Sequence, residues 1–433
     1  MPSAGNHRRV WRLAGPVILS NITTPLLGAV DTGVVGHLPD PALIGGVALG
    51  SLIFNFVFWG FGFLRMGTTG FTAQARGAGD MSELRATFLR SLMLAGGIGL
   101  ALVVLQVPIH FLALHFVQSS AAVKDYAGTY FDVRIWSAPA ALANYAILGW
   151  LLGTGRTGLA LGLQVALNGI NIILAVVFVL LLGWGIPGVA AATLTSEILT
   201  SCGGLLLVFR LLPRAETPHL FDRHRILRLL RVNGDIMLRT LCLEAAFVAF
   251  TLAGASLGDI AFAANAILMN LLTMSAYGLD GFAMAAEILV GSAVGARDRA
   301  GFRAAIRDST IWAAGLAILG AGFFLFAGHQ LIALFTLHEE VRRTAALYLP
   351  WLALSPLLGV WCFQLDGIYV GATRTAEMRN GMILALAGNL LVLWLALPRL
   401  GNDGLWLALM VFYVLRMTTL GAWLPRIDRS LAT

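Results

Sequence analysis

The sequence predicts an all-α integral membrane protein, with twelve transmembrane helices forming two pseudo-symmetric six-helix bundles. Three observations carry this: composition, the placement of basic residues, and an internal repeat. Of 433 residues, 58% are hydrophobic and 12% charged, and mean hydropathy is +0.82. A soluble domain carries about 25% charge. A chain this apolar cannot cover a water-facing surface and must be solvated by lipid. The net charge of +7 does not form a nucleic-acid stripe, because the basic residues sit in short connectors between apolar runs. No nucleic-acid partner is expected; the lipid bilayer is. Cys202, Cys242 and Cys362 are far apart in apolar windows, so they read as packing residues rather than metal ligands or a disulfide framework.

A membrane helix needs about 20 mostly apolar residues. Twelve such segments are predicted, at 11–36, 42–70, 84–108, 121–150, 158–182, 187–211, 228–255, 260–288, 302–327, 339–370, 376–398 and 403–425. The runs are continuous rather than alternating, which favours helices over a barrel. The basic start (Arg8, Arg9, Arg12) leads into a stretch too long for a signal peptide core, so it reads as a retained first span. With the N-terminus inside, 21 of the 29 basic residues fall in inside segments and 4 (Lys124, Arg342, Arg343, Arg399) outside. Positive charge accumulates on the cytoplasmic side of membrane proteins, so both termini are expected in the cytoplasm. The basic connector 213–227 separates an N-terminal six-helix lobe, 1–212, from a C-terminal one, 228–433.

The second half repeats the first at an offset of 218 residues. The informative matches are polar: Asp80/Asp298, Arg85/Arg303, Ser91/Ser309, Tyr130/Tyr348, Arg156/Arg374, Thr157/Thr375 and Asn171/Asn389. Glycines agree as well: Gly60/Gly278, Gly77/Gly295, Gly149/Gly367, Gly153/Gly371 and Gly183/Gly401. Six spans per half make both halves enter the membrane from the same side, so the repeat axis runs along the membrane normal. Two such lobes suit a carrier that opens its cleft to alternate sides. Channels and scaffolds can also be duplicated.

Polar groups inside spans are costly and mark pathways or partners. Asp31 lies toward the outer end of the first span, with no ionisable residue near it in sequence. On a helical wheel of about 100° per residue, Ser20, Thr24 and Gly28 share its face. Pro16 and Pro25 each remove a backbone hydrogen bond from the same helix. Burial disfavours a charged carboxylate, and a carboxyl able to be neutral or charged is what proton coupling requires. The competing reading is an aspartic acid bonded to neighbouring helices.

Gln164, Asn168 and Asn171 share one face of the fifth span, and Thr193 and Glu197 follow on the sixth. They suit a ligand pocket, or amide glue between helices. Glu197 reads equally as a second proton site or a packing acid. In the second half, Asp235 and Arg239 have the i, i+4 spacing of a helical ion pair. Asp280 and Asp366 come to a similar depth, so a buried charge cluster is expected, with Arg239 facing one or both of these acids and a structural or gating role. Glu244 is a weaker proton or cation candidate. Tyr277, Met269 and Met274 offer contacts to an amphipathic ligand, with core packing favoured for the methionines.

No soluble-type catalytic motif is present: no Walker loop, HExxH, Gly-x-Ser-x-Gly or Cys-x-x-Cys. None of His37, His110, His115, His219, His224, His329 and His338 has metal spacing. Neither an enzyme nor a bound cofactor or metal is expected.

Leu13–Ala14–Gly15–Pro16, Pro25 and Val30–Asp31–Thr32–Gly33–Val34–Val35–Gly36 resemble the first helix of multidrug and toxic compound extrusion (MATE) transporters. Asp235–Ile236–Met237–Leu238–Arg239, Leu279–Asp280–Gly281–Phe282, Val294–Gly295–Ala296–Arg297–Asp298 and Leu365–Asp366–Gly367–Ile368–Tyr369–Val370–Gly371–Ala372–Thr373–Arg374 resemble the DinF branch of that family. The similarity spans nearly the whole chain. It implies a MATE-like pair of six-helix bundles in a bacterial inner membrane, acting as a monomer. It also implies export of organic, cationic or amphipathic compounds against proton or sodium entry. By the resemblance, Asp31 is the coupling residue, with Asn171 and Thr193 beside it. The second acid that some members carry one turn after the helix-five Asn is replaced here by Ala175, which puts a two-carboxylate site in doubt. A flippase for a lipid-linked precursor is the alternative. It would need a strongly cationic central cavity, and Arg65, Arg134, Arg239 and Arg416 look few and scattered in sequence.

Overall fold

The computed structural model describes residues 4–35, 41–115, 117, 119–217 and 219–431, and the side chains of all of these except 4–6, 24–32, 35 and 41. No strand occurs among the described residues. Nine helices make up the first half and its entry: α1 (Ala4–Val35), α2 (Pro41–Gly60), α3 (Phe63–Gly77), α4 (Met81–Val104), α5 (Gln106–His115), α6 (Ala121–Arg134), α7 (Ala138–Gly153), α8 (Thr157–Ala175) and α9 (Gly185–Leu211). Then follow α10 (Arg223–Ala255), α11 (Asp259–Gly295), α12 (Arg299–Phe335), α13 (Glu339–Leu347), α14 (Leu349–Gly371), α15 (Thr375–Leu400) and α16 (Asn402–Ser430).

Among the described residues, eleven helical stretches are long and apolar enough to cross a membrane. They correspond to the second through twelfth predicted spans. The first predicted span falls on α1, part of whose side chains lie outside the described residues. Several helices outrun the hydropathy windows. Helix α11 continues to Gly295 and α12 to Phe335, beyond the expected ends at 288 and 327. Hydropathy reports the hydrocarbon stretch, whereas a helix runs on until something caps it. Two capping sites are repeat-related: Asp80 Oδ1 accepts from Glu83 N at 2.8 Å, and Asp298 Oδ1 from Gly301 N at 2.8 Å.

Backbone contacts divide the chain into two compact units. One runs from Leu19 to Leu229; the other joins α1 up to Ile18 with the chain from Leu230 onward. In the second unit, Trp11 packs edge-on against Phe282 and Trp312, each with ring centroids 5.2 Å apart. Tryptophan 312 also donates to His7 Nδ1 at 3.2 Å. The first turns of α1 are thus anchored on α11 and α12. In the first unit, the connector after α9 is fastened to the start of α4. Arg85 donates to the carbonyls of Pro213 and Ala215, and Arg90 to those of Leu220 and His219. Arg90 also forms a two-pronged pair with Glu83 at 2.8 and 3.0 Å, and Arg225 reaches the same carboxylate.

The sequence repeat has a geometric counterpart. A Cβ on Gly149 or Gly153 of α7 would meet the carbonyl oxygens of Arg65 and Thr69 on α3. A Cβ on Gly367 or Gly371 of α14 would meet those of Ala283 and Glu287 on α11. All four pairs obey the 218-residue offset. The glycines allow parallel backbones to approach closely, which is how membrane helices associate without a hydrophobic driving force. The turns correspond too: Gly79 and Gly155 (φ 69° and 73°) are matched by Arg297 and Thr373 (φ 53° and 52°).

Gly367→Ala is expected to lower the thermal midpoint in detergent, because a Cβ there overlaps backbone; overpacking of this kind costs about 1–3 kcal/mol. Gly158→Ala, where nothing lies within 4 Å, should leave the midpoint unchanged or slightly raised.

Candidate functional site: buried polar networks in each half

In the first unit, polar side chains from α1, α8 and α9 meet between apolar surfaces. Asn171, 2% exposed, donates through Nδ2 to Thr193 Oγ1 at 3.0 Å and to Ser196 Oγ at 3.4 Å. Its Oδ1 is buried with no hydrogen-bond partner. One turn earlier on α8, Asn168 donates to Thr23 Oγ1 at 3.1 Å and accepts from Gln164 Nε2 at 3.3 Å. The amides expected to share one face therefore divide their bonds: Asn168 ties α8 to α1, and Asn171 ties α8 to α9. The side chains of Asp31 and Thr24 lie outside the described residues. Their helix places Asp31 eight residues beyond Thr23, about 12 Å along its axis at 1.5 Å per residue.

A second group in this unit surrounds Glu197. Its Oε1 stands 3.9 Å from the Arg134 guanidinium, while Oε2 is buried with no partner. Arg134 donates to Tyr130 Oη at 2.8 Å, and its guanidinium carbon lies 4.9 Å from the Phe54 ring centroid. Asn144 donates to the Glu197 carbonyl at 3.2 Å. Asn144, Gln164 and Thr200 line a void of about 10 Å³, room for one water at most.

The second unit holds the expected charge cluster, with Arg239 on Asp366, but the i, i+4 pair is not formed. Asp235 and Arg239 do not pair with each other. Asp235 receives Arg379 at 2.5 Å and the Thr375 hydroxyl at 3.1 Å, both from α15. Arg239 pairs with Asp366 of α14, and Arg416 of α16 reaches the same oxygen at 2.7 Å. A local i, i+4 pair is worth a few tenths of a kcal/mol. A buried partner on a neighbouring helix satisfies a desolvated charge far better, so each residue turns to its own tertiary partner. Arg239 and Arg416, scattered in sequence, thus converge on one carboxylate. Asp366 Oδ1 has no hydrogen bond. Four residues earlier, the Cys362 thiol donates to the Tyr413 carbonyl at 3.3 Å.

Other predicted residues take simpler places. Asp280 is half-buried on α11, one turn before the Ala283 contact with Gly367. Glu244 is half-buried on α10, and its Oε1 is buried with no hydrogen-bond partner. Tyr277 is half-buried; Met269 packs against the core of the second unit and Met274 is exposed. Sequence reasoning missed Thr23, Ser196, Arg379, Thr375 and Gln364. Gln364 is 1% exposed, with neither end of its amide bonded. The available signal was a polar residue inside an apolar window, the same one that marked Asp366. No cluster of metal-ligating side chains occurs among the described residues.

Repeat-related halves, eleven described spans and polar networks buried among helices define a polytopic membrane protein of carrier architecture. The MatE family model matches residues 16–177 and again 236–397, once in each half, and the chain belongs to the MatE family. It is 46% identical over 425 residues to DNA damage-inducible protein F of Escherichia coli K12, covering 96% of this chain and 92% of that one. It is 28% identical over 370 residues to a probable multidrug resistance protein NorM of Agrobacterium fabrum, covering 79% and 77%. Its fold superposes with TM-score 0.89 on a MOP superfamily transporter from Pyrococcus furiosus, at 20% identity and with 99% and 97% coverage.

Asp366→Asn is expected to destabilise the protein more than Arg239→Met, by about 3–5 kcal/mol for leaving buried charge uncompensated. The aspartate substitution strands two guanidiniums, whereas the arginine substitution leaves Asp366 paired with Arg416. Thermal unfolding of the purified variants in detergent checks the order.

Proposed function

We propose that this chain is a secondary active antiporter that exports organic, cationic or amphipathic toxic compounds, driven by proton entry. Family membership and relatives named as probable multidrug resistance proteins support the substrate class. The duplicated architecture supports alternating access, with two similar halves presenting their cleft to one side and then the other. The basic connectors support cytoplasmic termini, and the Escherichia coli relative supports a bacterial inner membrane.

The observation that carries the coupling reading is the bonding of α1. Asn168 holds Thr23 of α1, eight residues before Asp31 on the same helix, and one turn further along α8 Asn171 keeps an unfilled oxygen. A carboxyl there alternates between two states. Charged, it attracts a cation and draws polar partners; neutral, it is cheaper to bury and releases a cationic substrate. Protonation from the outer side would therefore favour release outward, and loss of the proton inward would restore the site. Pro16 and Pro25 weaken the helix on which this happens. Gln164 and Thr193 complete the proposed contacts of the first half, and Tyr277 is a proposed substrate contact of the second. The charge cluster around Asp366 serves as a fixed strut of the second half, since its acid is already held by two cations.

In everted vesicles, substrate addition should dissipate an imposed pH gradient. Asp31→Asn should reduce this to background while the protein still reaches the membrane folded. Full coupled transport by Asp31→Asn overturns the mechanism. Transport driven by a sodium gradient alone replaces the proton as coupling ion and leaves the export reading standing.

A further inference from the structure

We infer that the first half carries a binding site for the headgroup of an ethanolamine phospholipid, between α5 and α6. A cavity of about 350 Å³ opens there, lined by Gln106, Val107, His110, Phe111 and Asp132. His110 Nδ1 and Asp132 Oδ1 are 2.7 Å apart. The Asp132 side chain remains 63% exposed, and among the described residues its second oxygen has no partner and the Gln106 amide makes no hydrogen bond. The surrounding surface is apolar: Val107 is 74% exposed, and Phe111 and Leu112 are also exposed. That is a lipid-facing surface, interrupted by a carboxylate, an imidazole and an amide.

Depth assigns the level. Arg90 is tied to the connector backbone at His219 and Leu220, which marks one membrane face. From Arg90 to His110 along α4 and α5 is 20 residues, about 30 Å at 1.5 Å per residue, one hydrocarbon thickness. The pair therefore sits at the opposite interface, where headgroups lie. With cytoplasmic termini this is the outer leaflet.

Chemistry selects the ligand. At headgroup depth the exposed oxygen of Asp132 is complementary to a cationic group that can donate to it. A primary ammonium brings three N–H donors, and a charge-assisted bond to Asp132 satisfies both partners. A choline headgroup has the same charge but no N–H to donate. The Gln106 amide remains as a donor for the adjoining phosphate, while His110, donating through Nδ1 to Asp132, turns its Nε2 toward Gly128 of α6. His110 is held by its bond to Asp132 and by edge contact with Phe131, ring centroids 5.3 Å apart. The site rests on the chain spanning a membrane and not on proton coupling, so the fate of the Asp31 experiment does not decide it.

The test is native mass spectrometry of the full chain, delipidated and re-exposed to equal amounts of phosphatidylethanolamine and phosphatidylcholine. Wild type should retain the ethanolamine lipid with about tenfold preference, the worth of one charge-assisted bond. Asp132→Asn should erase the preference. Gln106→Leu, which leaves the His110–Asp132 pair intact, should weaken both lipids alike. Equal retention of the two lipids by wild type, or an unchanged preference in Asp132→Asn, overturns the inference. So does displacement of the lipid by a water-soluble alkylamine, which would make this a site for amines rather than for lipid.

Discussion

Lipid offers no hydrogen bonds, and that absence governs this structure. Every backbone amide inside a span must be satisfied within its own helix, hence spans that are helical throughout. A charge buried inside a span is costly without a partner. Asp366 answers with two arginines, Arg239 and Arg416, from helices α10 and α16. Asp235 answers with Arg379 and Thr375 of α15. These bonds link four helices of the second half in one arrangement. The glycine contacts on α7 and α14 meet the same constraint from the other side. Where no polar bond holds helices together, close backbone approach provides dispersion contact.

Duplication preserved the framework and let the interiors diverge. Caps, close-approach glycines and turn positions correspond between halves at one offset. Asn171 and Asn389 show the divergence. Both are buried at 2% exposure on equivalent helices. Asn171 donates to the hydroxyls of Thr193 and Ser196, whereas Asn389 donates to the Ala408 carbonyl at 3.0 Å. The repeat equivalents of Thr193 and Ser196 are Val411 and Val414. With no hydroxyl to meet, the second asparagine becomes an interhelical clamp. The first half keeps a neutral, hydroxyl-rich network beside α1, and the second concentrates its charge around Asp366.

The candidate site was legible in kind and only partly in partners. Asn171 and Thr193 were named together, and they bond. Arg239 was expected to face Asp280 or Asp366, and it meets Asp366. The expected Asp235–Arg239 pair did not form, although its spacing was correct. Residues i and i+4 lie about 40° apart on a helix wheel at 100° per residue, enough for one to face α15 and the other α14 and α16. Arg416 was recognised as a charge inside a span, but nothing in its neighbourhood pointed to Asp366, 50 residues away. Gln164 and Asn168 read as a ligand face or as amide glue between helices, and the structure gives Asn168 the second role, a bond to α1.

By itself the sequence determined the class of fold, the rough extent of the second through twelfth spans, the duplication and the residues too polar to be idle in lipid. These are one-dimensional properties: a hydrocarbon thickness converts directly into a run of residues, and a repeat into an offset. Tertiary structure alone decided which helix each polar face meets. It chose Arg379 for Asp235, two arginines for Asp366 and α1 for Asn168, and it opened the cavity beside His110 and Asp132. Helical periodicity specifies the direction in which a side chain leaves its helix. The partner in that direction depends on how helices distant in sequence pack, and no local pattern encodes that packing.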